Sequence, residues 1–177
     1  MRGSTSRHNV KNAMSIYHAI KKAEINFLSY VPETWTKEIL KLLLEDRDIE
    51  SVGATGEGEA MAIAAGASLA GKRPLVLMEG SGYSSGTHVL SRLGLMHHIG
   101  WLMMSSHAGG IGEVAYYHWD IRLVGEPLLS ALRIPYCVVQ RVEDAETLVR
   151  EAQYTVEGQK VPVAVLLPHH ILWEESI

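Results

Sequence analysis

Two carboxylates, Glu57 and Glu59, open an alanine- and glycine-rich run that begins Gly56-Glu57-Gly58-Glu59-Ala60-Met61 and lies between two apolar segments. The Gly-x-Gly at 56–58 lacks the third glycine of a dinucleotide fingerprint, because Met61 stands there. Two acids at a helix start would also repel a pyrophosphate. In the simplest reading both acids complement the positive end of the helix, worth about 0.3–1 kcal/mol each. A second pattern, Gly82-Tyr83-Ser84-Ser85-Gly86, matches the G-x-S-x-G turn of serine hydrolases, and Asp120 and then His169 or His170 follow in the matching order. An elbow serine sits directly off its strand, whereas glycine and serine residues intervene here after Glu79, so an ordinary glycine-rich connection fits better. The stretch 105–120 is long enough to be functional and holds His107, Glu113, Tyr116, Tyr117 and His118. The pairs His97-His98 and His169-His170 lack the i, i+4 spacing that puts two ligands on one helix face. Metal binding by this chain alone is therefore not expected.

These residues must be positioned by elements that the hydrophobic pattern predicts. Apolar runs at 25–31, 49–54, 74–79, 100–106, 135–140 and 161–168 read as buried strands. Helical patterns at 9–23, 33–45, 57–70, 86–96, 122–133 and 143–158 alternate with them. That alternation predicts an α/β fold in three αβα layers, a six-stranded, mostly parallel sheet with helices on both faces. Ligands in such sheets bind in the loops leaving the carboxyl ends of the strands, here 31–36, 53–59, 80–86, 105–119 and 140–144. In the helix over 57–70, Ala60, Ala64, Ala67 and Gly71 lie three or four residues apart, giving a face suited to close approach by another backbone.

Length and charge narrow the class. The 177 residues make a single domain over 1–177 the simplest organisation, with residues 1–8 expected to be disordered. With 16 Lys and Arg against 20 Asp and Glu, the net charge of -4 offers no basic field for nucleic acid or an anionic membrane. The single cysteine, Cys137, lies in an apolar run and reads as a core thiol. No apolar run reaches the roughly 20 residues that span a bilayer, and a cytoplasmic protein is expected.

Taken together, "EGEAMAIAAGASLAGKRPLVLMEGSG" resembles the pyrimidine-binding (PYR) domain of thiamine-diphosphate-dependent 2-oxo acid decarboxylases, closest to the sulfopyruvate and phosphonopyruvate decarboxylase group. The resemblance rests on Glu57, Ala64-Ala65-Gly66, Leu69-Ala70-Gly71-Lys72-Arg73-Pro74 and Met78-Glu79-Gly80-Ser81-Gly82. "VPETW" (31–35), the tyrosine-rich loop ending in His118 and "PLLSALRIPY" (127–136) extend it over nearly the whole chain.

The resemblance implies that Glu57 is catalytic, hydrogen-bonding N1′ of the cofactor's aminopyrimidine. Gly56, Ser81 and Gly82 would join it in binding that ring, and Thr34, His107, Tyr116 and His118 would line the substrate side. Such a glutamate needs a pKa tuned near working pH; burial would raise it and the helix N-terminus would lower it. The family holds its magnesium and diphosphate with a Gly-Asp-Gly segment that this chain lacks. The implied assembly is a hetero-oligomer with a PP-domain (beta) subunit that binds most of the magnesium site, acting on a small 2-oxo acid. Two departures stand out. Glu79-Gly80 replaces the group's Gln-Asn, and residues 106–112 lack the arginine of its Trp-Arg-Gly-Glu-Pro-Gly loop. Those departures also motivate a PYR-like domain that binds a partner without catalysing.

Overall fold

The computed structural model describes residues 7–111, 113 and 115–174. Its strands are β1 (Arg7–His8), β2 (Phe27–Tyr30), β3 (Glu50–Gly53), β4 (Pro74–Met78), β5 (Leu102–His107), β6 (Tyr136–Val138), β7 (Val163–Pro168) and β8 (Trp173–Glu174). The α-helices are α1 (Val10–Lys22), α2 (Lys37–Glu45), α3 (Glu57–Leu69), α4 (Gly82–Ser85), α5 (Thr87–Val89), α6 (Trp119–Ala131), α7 (Ala145–Gln159) and α8 (His169–Leu172). Six strands form one sheet in the order β3-β2-β4-β5-β7-β6, and every pairing in it is parallel.

The alternation of side chains along each strand builds two cores. Leu75, Leu77, Leu102, Met104, Val163 and Val165 pack against α1, α2 and α7. Their neighbours Val76, Met78, Met103, Ala164 and Leu166 point the other way, onto α3, Tyr83, Leu90 and α6. Burying each large aliphatic contributes about 1.5–3 kcal/mol. Both faces of the central strands are therefore covered, which is why they read as continuous apolar runs. No helix among the described residues is long and apolar enough to cross a membrane.

Differences from the sequence pattern have local causes. The run at 49–54 is an exposed edge strand rather than a buried one, since Glu50, Ser51 and Gly53 of β3 face solvent. The pattern at 33–45 becomes helical only at Lys37, because the Glu33 carboxylate takes the N–H groups of Trp35 and Thr36, each at 2.7 Å, and turns the chain first. The pattern at 86–96 is α5 followed by a π-helix over Leu90–Met96. Part of the N-terminal stretch expected to be disordered is ordered. Arg7–His8 pairs antiparallel with Trp173–Glu174, Asn9 N–H donates to the Leu172 carbonyl at 2.8 Å, and the His8 ring lies 4.3 Å from Trp173. Residues 1–6 lie outside the described residues.

The connections define a switch point. After β2 the chain crosses to the α2 face, whereas after the adjacent β4 it enters α4 on the opposite face. The carboxyl ends of β2 and β4 thus splay their loops apart and leave a crevice between them.

Candidate active site

The mouth of α3 is shaped by its first four residues. Gly56 caps the helix in an extended conformation and has no side chain to satisfy the free N–H groups. Glu59 instead ties down the residue before the cap: its Oε2 accepts from the Thr55 N–H at 2.7 Å and the Thr55 hydroxyl at 2.6 Å, one position earlier than in a capping box. The Thr55 hydroxyl and N–H hold the Glu59 carboxyl below its ordinary value.

Glu57 is differently placed. It is half-buried, its Oε2 accepts from the Ser85 hydroxyl at 2.9 Å, and its stem lies against Gly82. A Cβ on Gly82 would sit 2.4 Å from Glu57 Cγ and 2.9 Å from Met78 Sδ, so only glycine allows α4 this close to α3. Gly86 is constrained in the same way by Met61 Sδ, 2.3 Å from its would-be Cβ. Ala60 and Ala64 of the small-residue face pack into the core under the chain's own sheet, Ala67 is buried as well, and Gly71 lies beyond the helix at φ +83°. What α3 turns outward is Glu59, Ala62, Gly66 and Leu69.

The β4 loop carries the next groups. The Ser81 hydroxyl donates to Glu79 Oε2 at 2.7 Å, and the Tyr83 hydroxyl meets Ser105 Oγ at 2.9 Å in the interior. Burial raises the Glu33 carboxyl above its ordinary value, and the neighbouring Glu79 charge pushes the same way against the two N–H groups that Glu33 holds. The loops leaving β2 and β4 therefore bring two carboxylates, Glu33 and Glu79, near one another. The serine-hydrolase arrangement is not assembled. Ser84 lies within α4, and its hydroxyl donates to the Ser81 carbonyl at 2.8 Å. Asp120 is exposed in the first turn of α6, and the His169 ring packs 4.7 Å from Trp35.

A cleft of about 560 Å³ opens at the carboxyl ends of β5, β7 and β6, with His107, Arg122, Glu126, Gln140, His169 and His170 among its walls. Arg122 Nη1 lies 2.7 Å from both His107 Nε2 and Glu126 Oε1. Burial lowers the His107 pKa against the opposing pull of Glu126, whose Oε1 lies 3.0 Å from the same Nε2. His170 Nε2 donates to the Gln140 carbonyl at 2.9 Å.

Beside the cleft, His118 is buried with its Nδ1 3.0 Å from Glu113 Oε2, and its ring meets Trp35 edge-on at 5.0 Å. Trp35 thus joins the loop after β2 to those after β5 and β7. Burial raises the Glu113 carboxyl, but the Ala115 N–H and His118 outweigh it and the net direction is down. Of the substrate-side residues expected from the sequence, His107 lines the cleft and His118 buttresses it, whereas Thr34 and Tyr116 point into solvent. Sequence reasoning missed Glu33, Trp35, Arg122 and Glu126. Only the last pair left a readable signal, an Arg and a Glu at i, i+4.

No protein-family model matches this chain. Sequence comparison finds it 33% identical to the sulfopyruvate decarboxylase subunit alpha of Methanocaldococcus jannaschii, over 95% of this chain and 99% of that protein. It is 28% identical to the subunit of the same name from Methanococcus maripaludis, over 92% and 96% of the two chains. The corresponding figures for Methanothermobacter thermautotrophicus are 30% identity, 89% and 96%. Among solved structures, the chain superposes on a 2-oxoglutarate:ferredoxin oxidoreductase from Magnetococcus marinus with a TM-score of 0.72 at 18% identity, a likeness of fold. That match covers 98% of this chain and 32% of the larger one.

Proposed function

Because the chain belongs to the family of sulfopyruvate decarboxylase alpha subunits, we propose that it is the pyrimidine-binding half of a two-subunit, thiamine-diphosphate-dependent 2-oxo acid decarboxylase located in the cytoplasm. The observation that carries this reading is the Glu57 carboxylate. It stands half-buried at the mouth of α3, braced by Ser85 and Gly82, with no hydrogen bond to its Oε1 among the described residues.

The residues present fit the cofactor's aminopyrimidine. A carboxylate oxygen is available as acceptor, Gly56 and Gly82 put no side chain in the way, and a Cβ at Gly56 would meet nothing within 4 Å. When bound, thiamine diphosphate supplies the carbon nucleophile and the electron sink for loss of carbon dioxide. Glu57 holds or receives the proton at pyrimidine N1′, and Ser81 with Gly82 forms the wall beside it. His107, held between Arg122 and Glu126, presents its ring to the cleft, and His118 holds the loop that closes it. Thr34 and Tyr116 reach a substrate only when a second subunit covers them, since both are exposed in this chain. Magnesium and the diphosphate fall to that beta subunit, because the sequence has no Gly-Asp-Gly segment.

The substrate is a small 2-oxo acid. The acid named for the relatives carries a sulfonate, and Arg122 is the guanidinium that lines the cleft.

The test is co-expression with a beta subunit and measurement of two quantities, carbon dioxide release from a panel of 2-oxo acids and exchange of the cofactor's C2 proton. Glu57→Gln is expected to slow the exchange by about 10²–10⁴-fold. A complex that binds thiamine diphosphate yet exchanges at the wild-type rate with Glu57→Gln would rule out this role.

A further inference from the structure

The surface around α6 carries more apolar area than a free surface tolerates. Among the described residues, five of the eleven exposed large apolar side chains fall between positions 111 and 123: Ile111, Tyr116, Tyr117, Trp119 and Leu123. Ile111 is fully exposed, and the others are 89%, 65%, 63% and 55% exposed in that order. Taking roughly 150–250 Å² for each large side chain, they present on the order of 700 Å². The largest patch on a typical monomer is about 300–600 Å², while one side of a stable interface covers about 800 Å².

The helix itself shows the same excess. Ile121, Gly125 and Leu129 face inward and are buried. Trp119, Leu123 and Pro127 lie on the outer face at i, i+4 and i+8, all exposed. An outer apolar stripe on a helix whose inner stripe is already buried, set among the exposed Asp120, Arg122 and Ser130, offers a second layer something to cover. The ridge is also anchored to the site. The Tyr116 and Tyr117 rings meet edge to face at 5.5 Å, Tyr117 packs 4.5 Å from the buried His118 ring, and Ile111 borders the cleft.

Its position singles out one occupant. Helix α4 touches both α3 and α6, so the starts of α3, at Glu57, and of α6, at Trp119, lie on one sheet face and at the same end of it. With neighbouring helices about 8–10 Å apart, the two starts are separated by roughly 20 Å. A chain that brings the diphosphate-binding half of the cofactor to Glu57 covers that distance within an interface of ordinary size. We propose that the ridge of Ile111, Tyr116, Tyr117, Trp119 and Leu123 is the docking surface for the partner subunit that completes the cofactor site, an inference that rests on the functional reading above. The partner's matching surface is apolar at its centre, and Asp120 and Arg122 of this chain are exposed at the rim.

The experiment measures the dissociation constant between the purified full chain and the beta subunit by calorimetry, with and without thiamine diphosphate. The double variant Tyr117→Ser, Trp119→Ser is expected to bind at least about 30-fold more weakly, as loss of aromatic anchors does. Leu69→Ser with Met96→Ser, exposed on α3 and the π-helix, is expected to stay within about twofold of wild type. Circular dichroism of each free variant is expected to match wild type, because every replaced side chain is exposed.

A complex that binds thiamine diphosphate but tolerates the Tyr117 and Trp119 changes overturns the docking surface and leaves the functional reading intact. A complex that is weakened by them but never binds the cofactor overturns the functional reading and keeps the surface as an interface. Absence of any complex, with a homodimer in sedimentation that Trp119→Ser dissociates, assigns the ridge to a second copy and overturns the proposal.

Discussion

Glu57 and Glu59 stand one residue apart and do different work because a helix turns them in different directions. Glu59 is tied to Thr55, and its depressed pKa makes its contribution to stability present above the ordinary carboxylate range and lost as pH falls through the folded value. Glu59→Ala is therefore expected to lower the melting temperature at neutral pH, with the difference from wild type shrinking in acid and C2-proton exchange in the complex unchanged. Glu57→Gln is expected to do the converse. Glu33 has the opposite sign to Glu59: burial raises its pKa, so the unfolded chain ionises first and stability declines as pH rises from the ordinary carboxyl value through the folded one. In denaturant titrations across pH, the advantage of wild type over Glu33→Gln is expected to be greatest at the acid end and to shrink as pH rises. A flat difference would place the Glu33 carboxyl in water.

At the scale of elements, the close approach of α3 and α4 is the feature most sensitive to a single atom. Gly82→Ala puts a methyl group against Glu57 Cγ and Met78 Sδ, and such overpacking costs about 1–3 kcal/mol. It is expected to lower kcat in the complex as well, because the helix start carrying Glu57 must shift. Thermal unfolding and steady-state kinetics on the same preparation check both effects.

A second junction ties α6 to the end of β5 through Arg122, His107 and Glu126. Arg122→Ala is expected to raise KM for an acid with a remote anionic group by roughly ten- to a hundred-fold, the loss of a hydrogen bond to charge, and to leave KM for an uncharged analogue nearly unchanged. Equal effects on both substrates would show that Arg122 only positions His107.

The whole molecule is a parallel sheet whose switch point and carboxyl-end loops lie at one end. Glu57 lies at the β2–β4 side of that end and the His107 cleft at the β5–β7–β6 side. Nothing in the sequence supplies the family's segment for a metal-bound diphosphate. The isolated chain is accordingly expected to release no carbon dioxide from any 2-oxo acid, and mixing with the beta subunit to restore turnover in proportion to complex formed. Release by the isolated chain above the uncatalysed rate would contradict this division of labour.

By itself the sequence determined the six main strands, their parallel arrangement between helices, and the positions of the loops at the carboxyl ends of the strands, because apolar periodicity and glycine placement act over a few residues. Glu57 was legible for the same reason, standing at a helix start in a motif of consecutive residues. Only the tertiary structure decided what depends on distant residues meeting. The alanine face of α3 was spent on the chain's own sheet, since a helix has one inward stripe and the sheet claims it. Trp35 gathered His118 and His169 from loops more than 80 residues away, and Arg122 reached His107 from a different element. Ridges such as the outer face of α6 emerged only once burial on the other side was known. An apolar residue in a sequence says that it avoids water, and the fold decides whether it does so within its own chain or against another.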